Sequence, residues 1–141
     1  MAIFVGEDKN TRAVKAALEI KWATDNLVRP TLASRLPSLA RQGFVLSHVT
    51  GVASGSVFIA RAGIHEHNDL ISVGSAANVA AKLSDIRETP QGRTYITPAV
   101  FNTMSASRKV WDGKQVWEPH TAKVGGESMA VHRSSWGWVI A

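Results

Sequence analysis

The chain has 141 residues, and sixteen Lys and Arg against eleven Asp and Glu leave it with a net charge of +5. Apolar residues at 45% with 19% charged residues exclude a disordered chain, and the absence of cysteine excludes disulfides and thiolate chemistry. The positive balance favours an anionic partner such as a nucleotide, but the basic residues are scattered, so no nucleic-acid partner is expected.

No apolar run approaches the roughly 18 residues of a membrane span. "MAIFVGEDKN" has neither the basic region nor the apolar core of a signal sequence, so a cytoplasmic protein is expected. Residues 1–5, "MAIFV", are a short apolar run of strand type. Asn10 or Thr11 can cap a helix whose apolar residues Val14, Ala17, Leu18 and Trp22 recur at helical spacing, ending before Pro30. In "TLASRLPSLARQG", Pro37 breaks any helix and Gly43 ends the element.

Two strands, "FVLSHVTGVA" and "SVFIARAGI", follow as a hairpin turning at Ser54-Gly55 with a positive φ, buried on at least one face. "HEHND" reads as a polar loop; its His65, Glu66 and His67 lack a third ligand and are not taken as a metal site. "LISVG" is a strand, and "SAANVAAKLSDIR" a helix with Val79, Leu83 and Ile86 on its apolar stripe. "TYIT" is a strand, Thr97-Pro98 opens a helix "PAVFNTM", and "KVWDGKQVWEP" turns back at Asp112-Gly113. "SMAVHRSSWGWVIA" closes the chain as two short strands or one bent strand. His48 and the residues Trp111, Trp117, Trp136 and Trp138 read as packing groups. The resulting order, β-α-β-β-β-α-β-α-β-β, predicts one α+β domain over 1–141, with helices flanking a mixed sheet.

In "NDLISVGSAANVAAK", Gly74 allows a tight turn from strand to helix, and Asn78 and Lys82, four apart, project from one helical face. An amide and an ammonium one turn apart can grip a phosphate or sugar oxygen together. The same pair also suits a merely solvated helix surface.

The block "GVASGSVFIARAGIHEHNDLISVGSAANVAAKL" resembles the central block of class III nucleotidyl cyclases. Gly51, Gly55, Asp69, Gly74 and Asn78 stand at the family's motif positions. Upstream, "MAIFVGEDKNTRAVKAALEI" resembles the family's hairpin strand and following helix. "HNDLISVGSAANVAAKLSDIRE" and "VHRSSWGW" are most similar to the bacterial pyrimidine cyclases of the antiphage system called Pycsar.

The resemblance implies a ferredoxin-like, palm-type domain with a mainly antiparallel sheet, and conversion of UTP or CTP to its 3′,5′-cyclic monophosphate. Asn78 would orient the ribose, and Lys82, where most members carry arginine, would stabilise phosphate charge without a bidentate fork. Ile71 stands where purine cyclases read the base with a polar side chain. Arg61 and Lys123, the latter before Gly125-Gly126, would contact phosphates. Family members act as head-to-tail homodimers and use two Mg²⁺ or Mn²⁺ ions bound by two aspartates, one on the first strand and one in the turn before the strand matching "MAIF". Neither position occurs in this chain, so the 141 residues are expected to be the C-terminal part of a longer enzyme and inactive alone. The alternatives are an adenylate cyclase and a non-catalytic cyclase-like domain that dimerises or binds nucleotide.

Overall fold

The computed structural model describes residues 1–62 and 69–140, an α+β arrangement organised by one four-stranded sheet. Its strands are β1 (Thr50–Val52), β4 (Thr94–Ile96), β7 (Glu118–Val124) and β8 (Glu127–Ser134), in the spatial order β1-β4-β8-β7. β1 runs parallel to β4 and the other pairs are antiparallel, which makes the sheet mixed and mainly antiparallel. Two ribbons stand apart: β2 (Phe58–Ala62) with β3 (Asp69–Val73), and β5 (Val110–Trp111) with β6 (Lys114–Gln115). The helices are α1 (Lys9–Ala23), α2 (Arg29–Arg35), α3 (Pro37–Arg41), α4 (Ser75–Ser84) and α5 (Pro98–Thr103).

Alternation along the strands divides the core in two. Tyr95 of β4 packs with Leu83 and Ile86 of the α4 segment and with Ala122, Val124 and Val131 of the hairpin. Its neighbour Ile96 turns to the other face, into a cluster with Val14 and Leu18 of α1, Val100 of α5, and Trp117. Leu18 and Leu83 are completely buried, and each contributes about 1.5–3 kcal/mol by leaving water. Trp117 packs as expected, buried with its indole N–H donating to the Arg108 carbonyl at 2.7 Å, and the half-exposed Trp111 meets Trp138 edge-on.

Several expectations are corrected. Residues 1–5 form no strand, and Ile3 and Val5 are exposed. An extended apolar run becomes a strand only where a ladder satisfies its backbone; here the Val5 carbonyl instead accepts a hydrogen bond from Arg12 Nη2 at 2.6 Å. The first helix begins at Lys9, with Asp8 rather than Asn10 or Thr11 at its cap and no side-chain cap bond. Asn10 Nδ2 donates to Thr103 Oγ1, and Thr11 Oγ1 accepts from the Ser105 N–H, so the two residues lock α1 to the last residue of α5 and to the segment just after it.

The α-helix does end before Pro30, at Ala23, but the helical winding continues past it. A π-helical turn at Thr24–Val28 joins α1 to α2, with the Arg29 N–H reaching back to the Thr24 carbonyl. The widened turn accommodates the proline, which has no N–H to give. Leu36 then breaks the chain ahead of Pro37, and Gly43 with φ +74° follows the short α3, as expected.

The hairpin expected at Ser54-Gly55 is also absent. β1 pairs with β4 and β2 with β3, and Gly55 is not in the positive-φ region. β2 is not buried: Phe58 and Ile59 are exposed. β7 was not expected, because "EPHTAKV" shows only Ala122 and Val124 as inward apolar residues at the edge of the sheet. The last segment is a strand only to Ser134. The polar loop with His65, Glu66 and His67 lies outside the described residues. No helix among the described residues is long and apolar enough to cross a membrane.

Candidate functional site

Three glycines place α4. A Cβ at Gly51 of β1 would lie 2.6 Å from Leu83 Cβ and 2.8 Å from the Ser84 nitrogen, so the helix rests directly on the strand backbone. A Cβ at Gly55 would touch the Ala76 Cβ at 3.3 Å. Gly74, the residue before the helix, is extended at φ 167°, a conformation open to any residue. Its requirement is space rather than the tight turn expected of it: a Cβ there would lie 2.6 Å from the Ser56 carbonyl oxygen and 3.0 Å from Val57 Cα. The glycine spacing read from the sequence thus reflects close backbone approach around α4.

The helix turns Val79 and Leu83 toward the sheet and leaves Asn78 and Lys82 exposed, one turn apart on a single face. Lys82 leans over the β7–β8 turn. A Cβ at Gly125 would lie 3.1 Å from Lys82 Nζ and 3.2 Å from its Cδ and Cε. Gly125 and Gly126 hold that turn at φ +61° and +89°, values that favour glycine.

The other sequence-derived residues are more dispersed. Lys123 is exposed on β7, and strand alternation directs it away from the face where Ala122 and Val124 pack beneath α4. Arg61 is exposed on β2, opposite Leu70; three residues separate it from Phe58, the partner of Val73 at the entry to α4. That is about 10 Å along the ribbon. Ile71 occupies β3 opposite Ala60. The structure therefore brings Asn78, Lys82 and the glycine turn to one corner and leaves Arg61 and Lys123 apart from it.

A polar cluster that sequence reasoning missed fixes the C-terminal side of α4. Glu88 accepts from the Tyr95 hydroxyl at 2.8 Å, pairs with His120 Nε2 at 2.8 Å, and accepts from Arg133 Nη1 at 3.2 Å. Arg133 also forks onto Glu118, with Nε on Oε2 at 3.0 Å and Nη2 on Oε1 at 3.3 Å. Burial works against the charge on Glu88, but His120, Tyr95 and Arg133 together hold its carboxyl below the ordinary range. Burial and then the Glu88 hydrogen bond push the Tyr95 hydroxyl up to about 12. The cluster anchors the segment after α4 to the sheet. Its members come from the segment after α4 and from β4, β7 and β8, so no local motif announces it.

His48 is partly buried, and burial followed by the Lys21 charge lowers its pKa, as suits a packed histidine. Among the described residues no three His, Asp or Glu side chains gather as a metal-ligand set.

No family model matches the chain. It is similar to three curated proteins, each named uridylate cyclase: 43% identical over 140 residues to that of Xanthomonas perforans, 37% over 138 to that of Rhodovulum sp., and 36% over 141 to that of Burkholderia cepacia. The alignments take in 96–99% of this chain and 57–58% of each relative, so the chain spans somewhat over half the length of the proteins it matches.

Proposed function

We propose that this chain is the nucleotide-handling part of a pyrimidine nucleotide cyclase that converts UTP or CTP to the 3′,5′-cyclic monophosphate and pyrophosphate. The observation that carries this reading is the 36–43% identity, across nearly the whole chain, to relatives named uridylate cyclase. UTP is the favoured substrate, and the product serves as a second messenger in a response to phage.

In this reading the ribose 3′ oxygen attacks the α-phosphorus as its proton passes to solvent water, and the bond from the α-phosphorus to the bridging oxygen breaks to release pyrophosphate. The Asn78 amide orients the ribose by donating and accepting at once. The Lys82 ammonium neutralises charge on the phosphates, and its contact with Gly125 restricts where that charge can swing. Arg61 and Lys123 serve as further phosphate contacts and Ile71 lies by the base. The site is completed by a second copy, head to tail. Two Mg²⁺ or Mn²⁺ ions would activate the 3′ hydroxyl and hold the triphosphate. The described residues offer no such ligand set.

The test is four parallel incubations of the protein expressed from its complete reading frame, each with Mn²⁺ and one nucleoside triphosphate, followed by mass measurement of the product. Cyclic UMP as the main product is expected, with no turnover by the 141 residues alone. Cyclic AMP as the main product overturns the pyrimidine reading, and no cyclic product from any triphosphate overturns the cyclase reading.

A further inference from the structure

A cleft of about 500 Å³ lies at the far end of the β7–β8 hairpin, lined among others by Arg93, Gln115, Trp117, Pro119 and Trp136. It is separate from the Asn78 and Lys82 corner. Lys82 rests on Gly125, whereas the cleft meets β7 at Glu118 and Pro119, and a seven-residue strand spans about 20 Å.

The charges around the cleft are unevenly matched. Both Glu118 oxygens are engaged by Arg133, whose remaining nitrogen is on Glu88, so these ions are mutually committed. Arg93 has no such partner. Its Nε and Nη1 are withdrawn from water without an acceptor among the described residues. That leaves Nη2 as the one guanidinium nitrogen open to the cleft, and a guanidinium so poorly solvated gains from an anion placed against it.

Neutral donors stand beside it. Ser134 Oγ accepts from the Trp136 N–H, which leaves its own hydroxyl hydrogen to donate, and Ser135 and the Gln115 amide also line the cleft. This set exceeds what a carboxylate's two oxygens use and suits the three terminal oxygens of a phosphate. The indole of Trp136 and the ring of Pro119 supply an apolar wall.

We propose that the Arg93 cleft binds a small organic monophosphate, its phosphate on Arg93 and its apolar body against Trp136 and Pro119. This rests on the cleft alone and stands or falls independently of the cyclase reading.

The experiment is a titration of the ¹⁵N-labelled full chain with phenyl phosphate and, separately, inorganic phosphate, following the Arg93 Nε–H and Trp136 indole resonances. Saturable shifts of both are expected with phenyl phosphate, about tenfold tighter than with inorganic phosphate, the gain of one good aromatic contact. Arg93→Gln should abolish the shifts while keeping a dispersed, folded spectrum; Arg93→Lys, which preserves the charge, should weaken them, and Lys82→Ala should leave them intact. Non-saturating shifts, equal affinity for the two probes, binding that survives Arg93→Gln, or binding lost in Lys82→Ala would each overturn the assignment.

Discussion

The Lys82 side chain lies along Gly125, so closely that a single added carbon on the glycine would stand 3.1 Å from the ammonium nitrogen. A helix residue and a turn residue far apart in sequence thereby define one corner. Gly125→Ala meets two penalties, a φ of +61° and the Lys82 side chain, whereas Gly126→Ala, at φ +89°, has nothing within 4 Å and meets only the first. Both should cost about 1–2 kcal/mol in chemical denaturation. In the whole protein, only Gly125→Ala should also depress nucleotide turnover. Equal activity of the two variants would show that the Lys82 position is immaterial.

Gly51→Ala places a carbon against α4 itself, 2.6 Å from Leu83 Cβ, with no flexible side-chain end to move aside. The helix must shift off β1, at a cost of about 1–3 kcal/mol or more. Urea titration followed by far-ultraviolet circular dichroism measures it; an unchanged midpoint would contradict the direct packing of helix on strand.

Asn78 is exposed and its side chain supports no part of the core. Asn78→Ala should leave the melting temperature within a degree or two of wild type and lower turnover in the whole protein by about a hundredfold, the scale of one lost oriented contact. Retention of more than half the activity would make it an ordinary surface residue.

Glu88→Gln removes the charge shared by Tyr95, His120 and Arg133. A loss of about 2 kcal/mol is expected. The Tyr95 hydroxyl, now at about 12, should titrate lower by absorbance at 295 nm while remaining above 10, because burial is the larger cause of its shift.

His132 stacks on Phe101 with ring centroids 3.9 Å apart and planes within 4°. Burial and then Lys109 hold its pKa below 6.5, so the folded protein favours the neutral ring. Its contribution is complete above 6.5 and is lost as pH falls from there through the lowered folded pKa. Denaturation midpoints should therefore drop more between pH 7.5 and pH 5 in wild type than in His132→Phe, and equal drops would exclude His132 as a source.

Local chemistry was legible in the sequence. The Val79, Leu83 and Ile86 stripe became the buried side of the α4 segment, Thr97 caps α5 ahead of Pro98, and Asp112-Gly113 turns the β5–β6 ribbon with both residues at positive φ. Pairing was less legible. β1 and β2 are both apolar and adjacent in sequence, which suggests a hairpin, yet β1 finds its partner beyond α4 in parallel, a choice made by the helix packing on Gly51. β7 escaped notice because an edge strand can carry Pro119, His120 and Lys123 and need only two small inward residues. At the candidate site, the shared face of Asn78 and Lys82 followed from their spacing, while the reach of Lys82 to Gly125 depends on the tertiary meeting of α4 with the β7–β8 turn.

The π-helical turn at Thr24–Val28 acts as a phase shift in the helical rod. By absorbing one extra residue it rotates everything that follows by about 100° relative to an uninterrupted α-helix. That rotation brings Arg29 to the Leu46 carbonyl at 2.9 Å while its other end pairs with Asp25 at 2.8 Å. Deleting any one residue between 24 and 28 would restore regular winding, set the Pro30 ring against the carbonyl four residues before it, and swing Arg29 away from Leu46. Chain length across this rod is thus fixed to the residue, in a stretch whose composition alone resembles an ordinary helix.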